Sequence, residues 1–496
     1  MRDRDPRRIE FGDWQTPLAL ARQVVRTLHD AGLRPRSVIE PTCGTGTFLL
    51  AAREFWSGAV LVGLDVNGAY VETARSRLGD DVQLAVADFF AHPWEKDLSR
   101  LPVPLLVLGN PPWVTSAQLG TLGSANVPMK TNFKGLRGVD AITGKSNFDV
   151  SEWMLLRLLG AMDGRDAALA MFCKAAVARR VLEHVSSHGP GVAGELRRFD
   201  AMEHFGASIE AVLLTVRQSA RVVEPDRLVW PVFDSLDAQR PSRRIGVFDG
   251  ALCSDVDAFM RSRHLEGSAV PEWRSGLKHD CGRVMEFRVQ HGQLVNGAGE
   301  HADIEEEYVY PLLKGSDIAN GRLDAARAVL VTQRGLGDDT TRMGATAPRT
   351  WDYLDRHRPL LDARRSSIYE GQPPFAVFGV GDYTFASWKV AVSGLHKRLH
   401  FELVGPRNGR PVVLDDTCYF LPYRHEIEAR RALDALRSAS ATEFLTSRIF
   451  WDAKRPINKA VLQALDMGKL EEALGMTPSP DRRSTGQRQQ KLVFPS

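Results

Sequence analysis

Cysteine is scarce in this sequence, and its placement argues against two common uses of the residue. Only five cysteines occur among the 496 residues. None forms a Cys-x-x-Cys pair or lies near a histidine at metal-binding spacing, so we expect reduced thiols, with no disulfide framework and no metal site. The cysteines are Cys43, Cys173, Cys253, Cys281 and Cys418.

Long apolar runs and an excess of one charge are also missing. No apolar stretch approaches the roughly 18 residues of a membrane-spanning helix, and the arginine-rich start, residues 1–8, lacks the apolar run of a signal peptide. The 64 Lys and Arg nearly balance the 61 Asp and Glu, so a surface for a polyanion must come from local clustering. These features predict a cytoplasmic globular protein of roughly two or three domains.

The most informative stretch is the apolar run 105–109, which is followed by Asn110, Pro111, Pro112 and Trp113. Proline cannot join a sheet ladder, so a strand would end there. The amino group of a nucleobase is a poor nucleophile unless both of its N–H groups are accepted. Asn110 Oδ1 could accept one and the Pro111 carbonyl the other, while Trp113 stacks on an extruded base. The alternative is a strand end closed by a Pro-Pro turn with a core tryptophan.

Three earlier strands also end in polar groups. Residues 37–50 combine a short buried strand, Glu40, a turn with two glycines and an apolar helix, which is typical of the start of a nucleotide-binding α/β unit. Glu40 could balance a cationic ligand. Asp65 ends the next strand, where it could bind ribose hydroxyls, and Asp88 with Phe89 could bind an adenine. Four successive strands with polar ends at one sheet edge predict a ligand crevice.

These motifs, in this order and preceded by Thr16-Pro17, resemble the gamma-type adenine-N6 DNA methyltransferases, which are the modification methylases of restriction systems. The resemblance implies an α/β fold, with a Rossmann-like seven-stranded methyltransferase domain that binds S-adenosylmethionine. Phe205 would pack on the flipped base opposite Trp113; a core phenylalanine is the alternative. Thr16 and Pro17 could equally be an ordinary helix start. The implied cofactor residues are Thr16, Pro17, Glu40, Pro41, Gly44, Gly46, Asp65, Asp88, Phe89 and Phe148.

The domain layout follows from the same resemblance and from a loss of pattern near 219–227. We expect the catalytic domain at 1–222, an α+β target recognition domain at 228–476 and a disordered tail at 477–496. Short segments at 308–318 and 451–457 resemble specificity domains of such enzymes. Cations that could contact DNA occur in the long stretch 114–146 and in the second half. They are Lys130, Lys134, Arg137, Lys145, Lys314, Lys389, Lys397, Lys454 and Arg455.

The predicted function is transfer of a methyl group from S-adenosylmethionine to the N6 amino group of a flipped adenine in double-stranded DNA. No endonuclease motif stands out, so a partner nuclease would be a separate chain. Cytosine-N4 methylation would use the same two hydrogen-bond acceptors on another amino group and remains an alternative. So do an RNA or protein-glutamine methyltransferase with the same motif, and a non-catalytic DNA-binding subunit of a defence complex.

Overall fold

The chain divides into two compact units, Met1–Asp257 and Ala258–Ser496. The structure is a computed structural model, and the predicted linker, the predicted tail and all of the long stretch after Val114 lie outside the residues that it describes. Those described are residues 15–114, 149–188, 192–218, 228–248 and 250–476.

The first unit is built on one mixed sheet, which has ten strands among the described residues, in the order β10-β9-β8-β6-β7-β5-β4-β1-β2-β3. Strands β1 to β5 pair in parallel, and β7 is antiparallel to both β5 and β6. The strands are β1 (Ser37–Glu40), β2 (Val60–Asp65), β3 (Gln83–Val86), β4 (Leu105–Gly109), β5 (Ala167–Lys174), β6 (Val192–Asp200), β7 (Glu210–Gln218), β8 (Val229–Phe233), β9 (Arg243–Phe248) and β10 (Ala251–Cys253).

Helices alternate with the first five strands, as expected for crossovers between parallel strands. The first helix, α1, buries one apolar stripe that includes Leu20, Val24 and Leu28. Side chains of Asn67 and Asp149 cap the helices α3 and α5. The helices are α1 (Leu18–Asp30), α2 (Thr47–Phe55), α3 (Gly68–Leu78), α4 (Trp94–Arg100), α5 (Val150–Ala161), α6 (Ala175–His188), α7 (Ala201–Phe205) and α8 (Val256–Ser262), which crosses the division between the units.

The centre of the sheet is fully buried. Every residue of β1 and of β4 is buried, which explains why β4 is a continuous apolar run and why β1 carries Val38 and Ile39 between its polar ends. Helices α1 and α2 contribute Val25, Leu28 and Phe48 to the same core. The two strands that carry Glu40 and Asn110 at their ends are therefore the most rigidly held part of the unit.

The sheet is wider than the seven strands expected, and the division between the units falls after Asp257 and not near residue 228. Strand β8 pairs in parallel with β6, with Leu196 opposite Val232. The fully buried Trp230 packs on Gly194 of β6. Strand β8 thus pairs with the edge of β6 that faces away from β7, and β9 and β10 continue the same sheet.

The second unit mixes short helices with two mainly antiparallel sheets, as predicted for an α+β architecture. Their orders are β11-β20-β17-β18 and β14-β13-β12-β16-β15-β19. The strands are β11 (Arg274–Ser275), β12 (Glu286–Gln290), β13 (Gln293–Asn296), β14 (His301–Ala302), β15 (Val309–Leu313), β16 (Arg327–Leu330), β17 (Trp388–Ser393), β18 (Phe401–Val404), β19 (Val413–Leu414) and β20 (Cys418–Tyr423).

The helices of this unit lie mostly in its last third and between β16 and β17. The α-helices are α9 (Gly282–Met285), α10 (Gly315–Ala319), α11 (Met343–Thr346), α12 (Pro348–Arg356), α13 (Arg358–Asp362), α14 (Glu426–Leu436), α15 (Ala439–Thr446), α16 (Lys459–Gln463) and α17 (Met467–Ala473). Single 3-10 turns occur at Arg263–Leu265, Glu306–Tyr308, Thr340–Arg342, Ser367–Tyr369 and Asp382–Phe385.

Two general features can be checked on the described residues. No helix in this part of the chain is long and apolar enough to cross a membrane. All five cysteines fall within it, and no two of them form a disulfide.

The packing of Trp230 on Gly194 leads to a stability prediction. A Cβ at Gly194 would overlap the indole of Trp230, which is fully buried and has no open space to move into. Gly194→Ala is expected to lower the free energy of unfolding by about 1–3 kcal/mol, as overpacking does in other cores. Urea unfolding measures the change. Gly58→Ala is the control, because a Cβ there meets nothing within 4 Å; equal stability of the two variants would contradict the prediction.

Candidate active site

The candidate site lies at the carboxyl edge of the parallel strands. Glu40 ends β1 and Asp65 ends β2, while Asn110 directly follows β4. Strands β1 and β4 are neighbours in register, with Ile39 opposite Val107. Glu40 consequently lies against the backbone of Gly109, where an added Cβ would be 3.4 Å from Glu40 Cγ. Parallel pairing alone brings the motif of the first strand beside that of the fourth.

The turn after β1 depends on its glycines. Gly44 and Gly46 have φ of 51° and 75°, in the left-handed region that favours glycine. A Cβ at Gly46 would also overlap Leu78 of α3. The turn therefore packs tightly against α3 on one side, and on the other it is covered at Gly44, where a Cβ would overlap the side chain of Gln15.

Asp65 fastens this turn to β2. Its Oδ2 accepts a hydrogen bond from the Gly44 N–H at 2.8 Å, and its Oδ1 accepts one from the Asn67 N–H at 2.8 Å. Each carboxylate oxygen can accept a further hydrogen bond. The predicted contact with ribose hydroxyls is thus compatible with the geometry and stays a prediction.

Gln15 and Arg77, neither of which was predicted from the sequence, hold the other side of the turn. Gln15 Oε1 accepts hydrogen bonds from Thr45 N at 3.3 Å and Thr45 Oγ1 at 3.2 Å. Arg77 Nη1 donates to the Thr45 carbonyl at 2.8 Å. The segment before α1 therefore lies over the glycine turn. The only sequence signal for Gln15 was its position beside Thr16-Pro17.

Thr16 contacts Asn110 and does not cap the helix. Helix α1 begins at Leu18 with Pro17 at the N-cap position and no side-chain capping bond. The Thr16 side chain is buried, and its Oγ1 accepts a hydrogen bond from Asn110 Nδ2 at 3.4 Å. This contact orients the Asn110 amide so that its nitrogen faces Thr16 and its oxygen is the acceptor for other groups.

Lys174, at the end of β5, anchors the strand-end motif and was not identified from the sequence. Its Nζ donates to the Trp113 carbonyl at 3.0 Å and pairs with Asp149 Oδ2 at 2.6 Å. The Val150 N–H also donates to the Val114 carbonyl at 2.9 Å. These bonds tie the chain after Pro112 to the start of α5.

The aromatic side chains of the site are closed on each other. Trp113, expected to be exposed, is only 6% exposed, and its ring centre lies 5.4 Å from that of Phe205 in an edge-to-face contact. A base stacked between two rings needs about 7 Å between them, twice the ordinary carbon contact distance. The structure brings Trp113 and Phe205 together, as expected, but in this conformation both are core residues.

Asp88 and Phe89 follow β3, and only Asp88 is accessible. Asp88 is exposed, and its Oδ1 accepts a hydrogen bond from the Phe90 N–H at 2.9 Å. Phe89 is buried, with its ring centre 4.7 Å from Trp94. Burial by Trp94 explains why the expected open ring of Phe89 is not found; the neighbouring Phe90 is only half-buried.

Glu40 is the buried carboxyl group of the site with a raised pKa. It is 3% exposed, and burial together with the charge of Asp65 raises its pKa well above the usual 4.5. Among the described residues its Oε2 has no hydrogen-bond partner. A buried carboxylate oxygen without a partner is costly, and a cationic group in the crevice would offset that cost. The site therefore fits the sulfonium of S-adenosylmethionine.

The cations predicted to contact DNA differ in whether the structure describes them and in how exposed they are. Lys130, Lys134, Arg137 and Lys145, and also Phe148, lie outside the described residues. Lys389 is wrong for this role because it is 1% exposed; burial lowers its pKa to about 7, and its Nζ donates to the Ala386 carbonyl.

The remaining four cations all lie in the second unit. Lys397 and Lys454 are exposed. Lys314 pairs with Glu286 at 2.6 Å and Arg455 with Asp416 at 3.1 Å. Exposure makes Lys397 and Lys454 the better candidates for contact with a polyanion, and all four stay predictions.

Comparison with known proteins decides the family. No family model matches the chain. It is, however, 38% identical over 475 residues to the type II methyltransferase M.NspV of Nostoc sp., across 94% of this chain and 98% of that protein. The chain belongs to the type II methyltransferases. It is also 31% identical over 108 residues, 22% of its length, to the type II methyltransferase M.CvrRI of Paramecium bursaria Chlorella virus XZ-6E.

The fold has a solved counterpart. The type IIL restriction-modification enzyme MmeI, solved in complex with DNA, superposes with a TM-score of 0.52 at 12% identity. The match covers 92% of this chain and 65% of the MmeI chain. The resemblance to modification methylases and the Rossmann-like methyltransferase fold predicted from the sequence are thereby confirmed.

The burial of Glu40 predicts a pH dependence of stability in the cofactor-free methyltransferase. A carboxyl group whose pKa rises on folding binds more protons folded than unfolded, so the free energy of unfolding falls as pH rises above the unfolded value. The amide of Glu40→Gln does not titrate, so the free energy of unfolding of this variant does not fall in this way. Its stability relative to the wild type is expected to increase between about pH 5 and about pH 8. Urea unfolding across this range tests it, with the exposed Glu203→Gln as control; parallel profiles for wild type and Glu40→Gln would refute it.

The anchoring role of Lys174 predicts a second loss of stability. Lys174→Met leaves the buried carboxylate of Asp149 and the Trp113 carbonyl without this cation. We expect the free energy of unfolding to fall by about 2 kcal/mol, the usual penalty for a buried acceptor that loses its donor. Lys96→Met, on an exposed position of α4, is the control. A Lys174→Met protein as stable as the control would show that the anchor is dispensable.

Proposed function

We propose that the chain is a DNA methyltransferase that uses S-adenosylmethionine to methylate the N6 amino group of an adenine at a specific sequence. Membership of the type II methyltransferases supports the reaction class. The choice of adenine rests on the resemblance of the motifs, and cytosine-N4 transfer is the alternative. The observation that carries the proposal is the contact of Thr16 with Asn110 beside the buried Glu40, because it joins the two predicted halves of the site.

The catalytic task of the protein is to make the amino group nucleophilic. Asn110 Oδ1 accepts one N–H of the target amine and the Pro111 carbonyl accepts the other, which draws the nitrogen lone pair out of the ring system. Pro111 and Pro112 have fixed φ angles and no N–H, so the strand cannot continue and the carbonyl stays available. Thr16 and Lys174 position this segment from its two sides, the first through the amide and the second through the Trp113 carbonyl.

The predicted cofactor residues bind different parts of the cofactor. S-adenosylmethionine supplies an electrophilic methyl group when bound. Gly44 and Gly46 let the backbone approach it, Asp65 accepts from the ribose hydroxyls, and Asp88 accepts from the adenine amino group. Thr16 and Pro17 enclose its methionine part beside Glu40 and Pro41. The negative charge of Glu40 favours a cationic ligand over a neutral one.

No strong general base is needed for this reaction. The nitrogen–carbon bond forms as the sulfur–carbon bond breaks, which leaves a positively charged amino nitrogen. That nitrogen is acidic enough to release its proton to water after transfer. Besides activating the amino group through the two accepted hydrogen bonds, Asn110, Pro111 and Trp113 thus contribute mainly proximity and orientation.

The second unit is proposed to recognise the DNA target. The two segments that resemble specificity domains, 308–318 and 451–457, meet the loop after β17 at the turn before β20. Gly315 N donates to Thr417 Oγ1 at 2.8 Å, Gly394 N donates to the Thr417 carbonyl at 2.8 Å, and Arg455 donates to the Asp416 carbonyl at 2.8 Å. Their convergence brings the loop of Lys397 and the segment of Lys454 to one turn. Phosphate contacts from these lysines would orient the duplex.

The wider setting is a restriction-modification or related defence system. In such a system, methylation of the host sequence protects it from cleavage. We propose that cleavage, where it occurs, is performed by a separately encoded endonuclease.

The direct test is nucleoside mass spectrometry of methylation-free DNA incubated with the protein and S-adenosylmethionine. The wild type is expected to form N6-methyladenine. Asn110→Ala is expected to lose at least about a hundredfold in rate, since one of the two acceptors of the amine is gone. Asn320→Ala, at an exposed helix end in the second unit, is the control and is expected to keep wild-type activity.

The other outcomes of this experiment are equally informative. N4-methylcytosine in place of N6-methyladenine would keep the mechanism and change the base. Full activity of Asn110→Ala would remove the catalytic assignment. Absence of any modified base from wild-type reactions would overturn the proposed DNA methylation and direct attention to RNA or protein substrates.

A further inference from the structure

One exposed arginine of the second unit differs from the other cations that lie over aromatic rings. The guanidinium of Arg334 lies 4.2 Å from the ring centre of Phe385. In the other pairs of the described residues, the cation is either in an ion pair or held by backbone carbonyls. Arg358 pairs with Asp355, for example, and Arg364 donates to the Leu361 and Ala376 carbonyls. Arg334 is exposed, and the described contacts show no carboxylate or carbonyl bound by its guanidinium.

The loop that carries Arg334 is held rigidly. It follows β16, and its backbone turns back on the Asp338 carboxylate, which accepts from Arg334 N at 3.0 Å and Gly335 N at 2.8 Å. Gln333 is buried; its Nε2 donates to the Gly335 carbonyl and its Oε1 accepts from Val377 N at 3.1 Å. A free guanidinium on a fixed backbone and a fixed aromatic platform has little conformational freedom left to lose on binding.

A cavity of about 690 Å³ opens beside this arginine. Its size is typical of ligand-binding clefts, which span about 300–1,000 Å³. Its charged lining consists of two arginines, Arg334 and Arg342, and three carboxylates, those of Glu307, Asp338 and Asp339, beside Gln333 and Phe385. Two positive and three negative groups leave the lining net negative, which favours an uncharged base edge over a phosphate. Leu336, 63% exposed on the same loop, offers an apolar contact.

We propose that Arg334 reads a guanine in the target sequence from the major groove, with Phe385 as its platform and the adjacent cavity as the space that admits the base edge. This inference rests on the proposed function of DNA methylation. Arginine donates two parallel hydrogen bonds to guanine O6 and N7, and no other base presents that pair of acceptors there. Lysine has the same charge but lacks the planar fork, so charge and readout can be separated by substitution.

The test maps the sequences that each protein methylates on long, methylation-free duplex DNA. The wild type is expected to modify one recognition sequence that contains a guanine. Arg334→Lys is expected to modify variants of that sequence as well, with discrimination at one guanine position reduced about tenfold to a hundredfold. Phe385→Leu is a second variant that keeps the arginine and removes its platform, and it is expected to relax the same position.

Arg288→Lys is the matched control. Arg288 is an exposed arginine on β12, in the same six-stranded sheet, and no aromatic platform for it is seen among the described residues. Its substitution is expected to leave every position of the recognition sequence unchanged. The thermal midpoint of each variant, measured alongside, shows that relaxed recognition does not come from unfolding.

Three results would overturn the inference, and they are distinguishable. Unchanged discrimination in Arg334→Lys would mean that the arginine does not read a base. An equal loss of rate on all sequences in Arg334→Ala, rescued by Arg334→Lys, would mean a phosphate contact. A wild type that binds S-adenosylmethionine but methylates no DNA would overturn the proposed function, and the readout by Arg334 with it.

Discussion

The structure of the first unit depends on the parallel pairing of β1 with β4 at the centre of the sheet. This pairing sets Glu40 against Gly109 and so places the start of the glycine turn beside Asn110. Parallel strands with both faces covered are the most deeply buried elements of an α/β fold. The polar side chains at the strand ends are held in place by this rigid framework. Side chains on loops would have to be positioned again each time a ligand bound. Thr16, Asp65 and Lys174 then complete the site from neighbouring segments.

Much of this arrangement follows from the sequence because parallel strands of strand length, each ending in a polar group, leave few alternatives. The order of Glu40, Asp65, Asp88 and Asn110 along the chain was sufficient to predict one crevice. The hydrogen-bond partners of these residues were harder to predict from the sequence. Lys174 follows an apolar run with nothing to mark it, and its value lies in two contacts, with Trp113 and Asp149, whose geometry only the fold defines.

Burial explains most of the differences between expectation and structure. A cation among aromatics suggested a DNA surface for Lys389, but its strand lies inside a sheet, and the whole side chain is covered. A loss of pattern near 219–227 suggested a domain boundary there, yet Trp230 and Val232 extend the first sheet because β8 pairs with β6. Local composition cannot distinguish a surface from an interior when both carry aromatic and basic residues. Pairing partners far along the chain decide that.

The cofactor-free site holds one unfavourable feature and one closed contact that bear on the order of binding. Glu40 is buried beside Asp65, and the ring of Trp113 is closed on Phe205. A cationic cofactor relieves the first directly, since it brings positive charge to a carboxylate with an unpartnered oxygen. An extruded base would have to open the second, with loss of an aromatic contact of about 0.5–1.5 kcal/mol that stacking on the base replaces. In the proposed reaction, cofactor binding is therefore favoured by the resting structure itself, whereas base entry requires the Trp113–Phe205 contact to separate, a step that only the correctly bound DNA would drive.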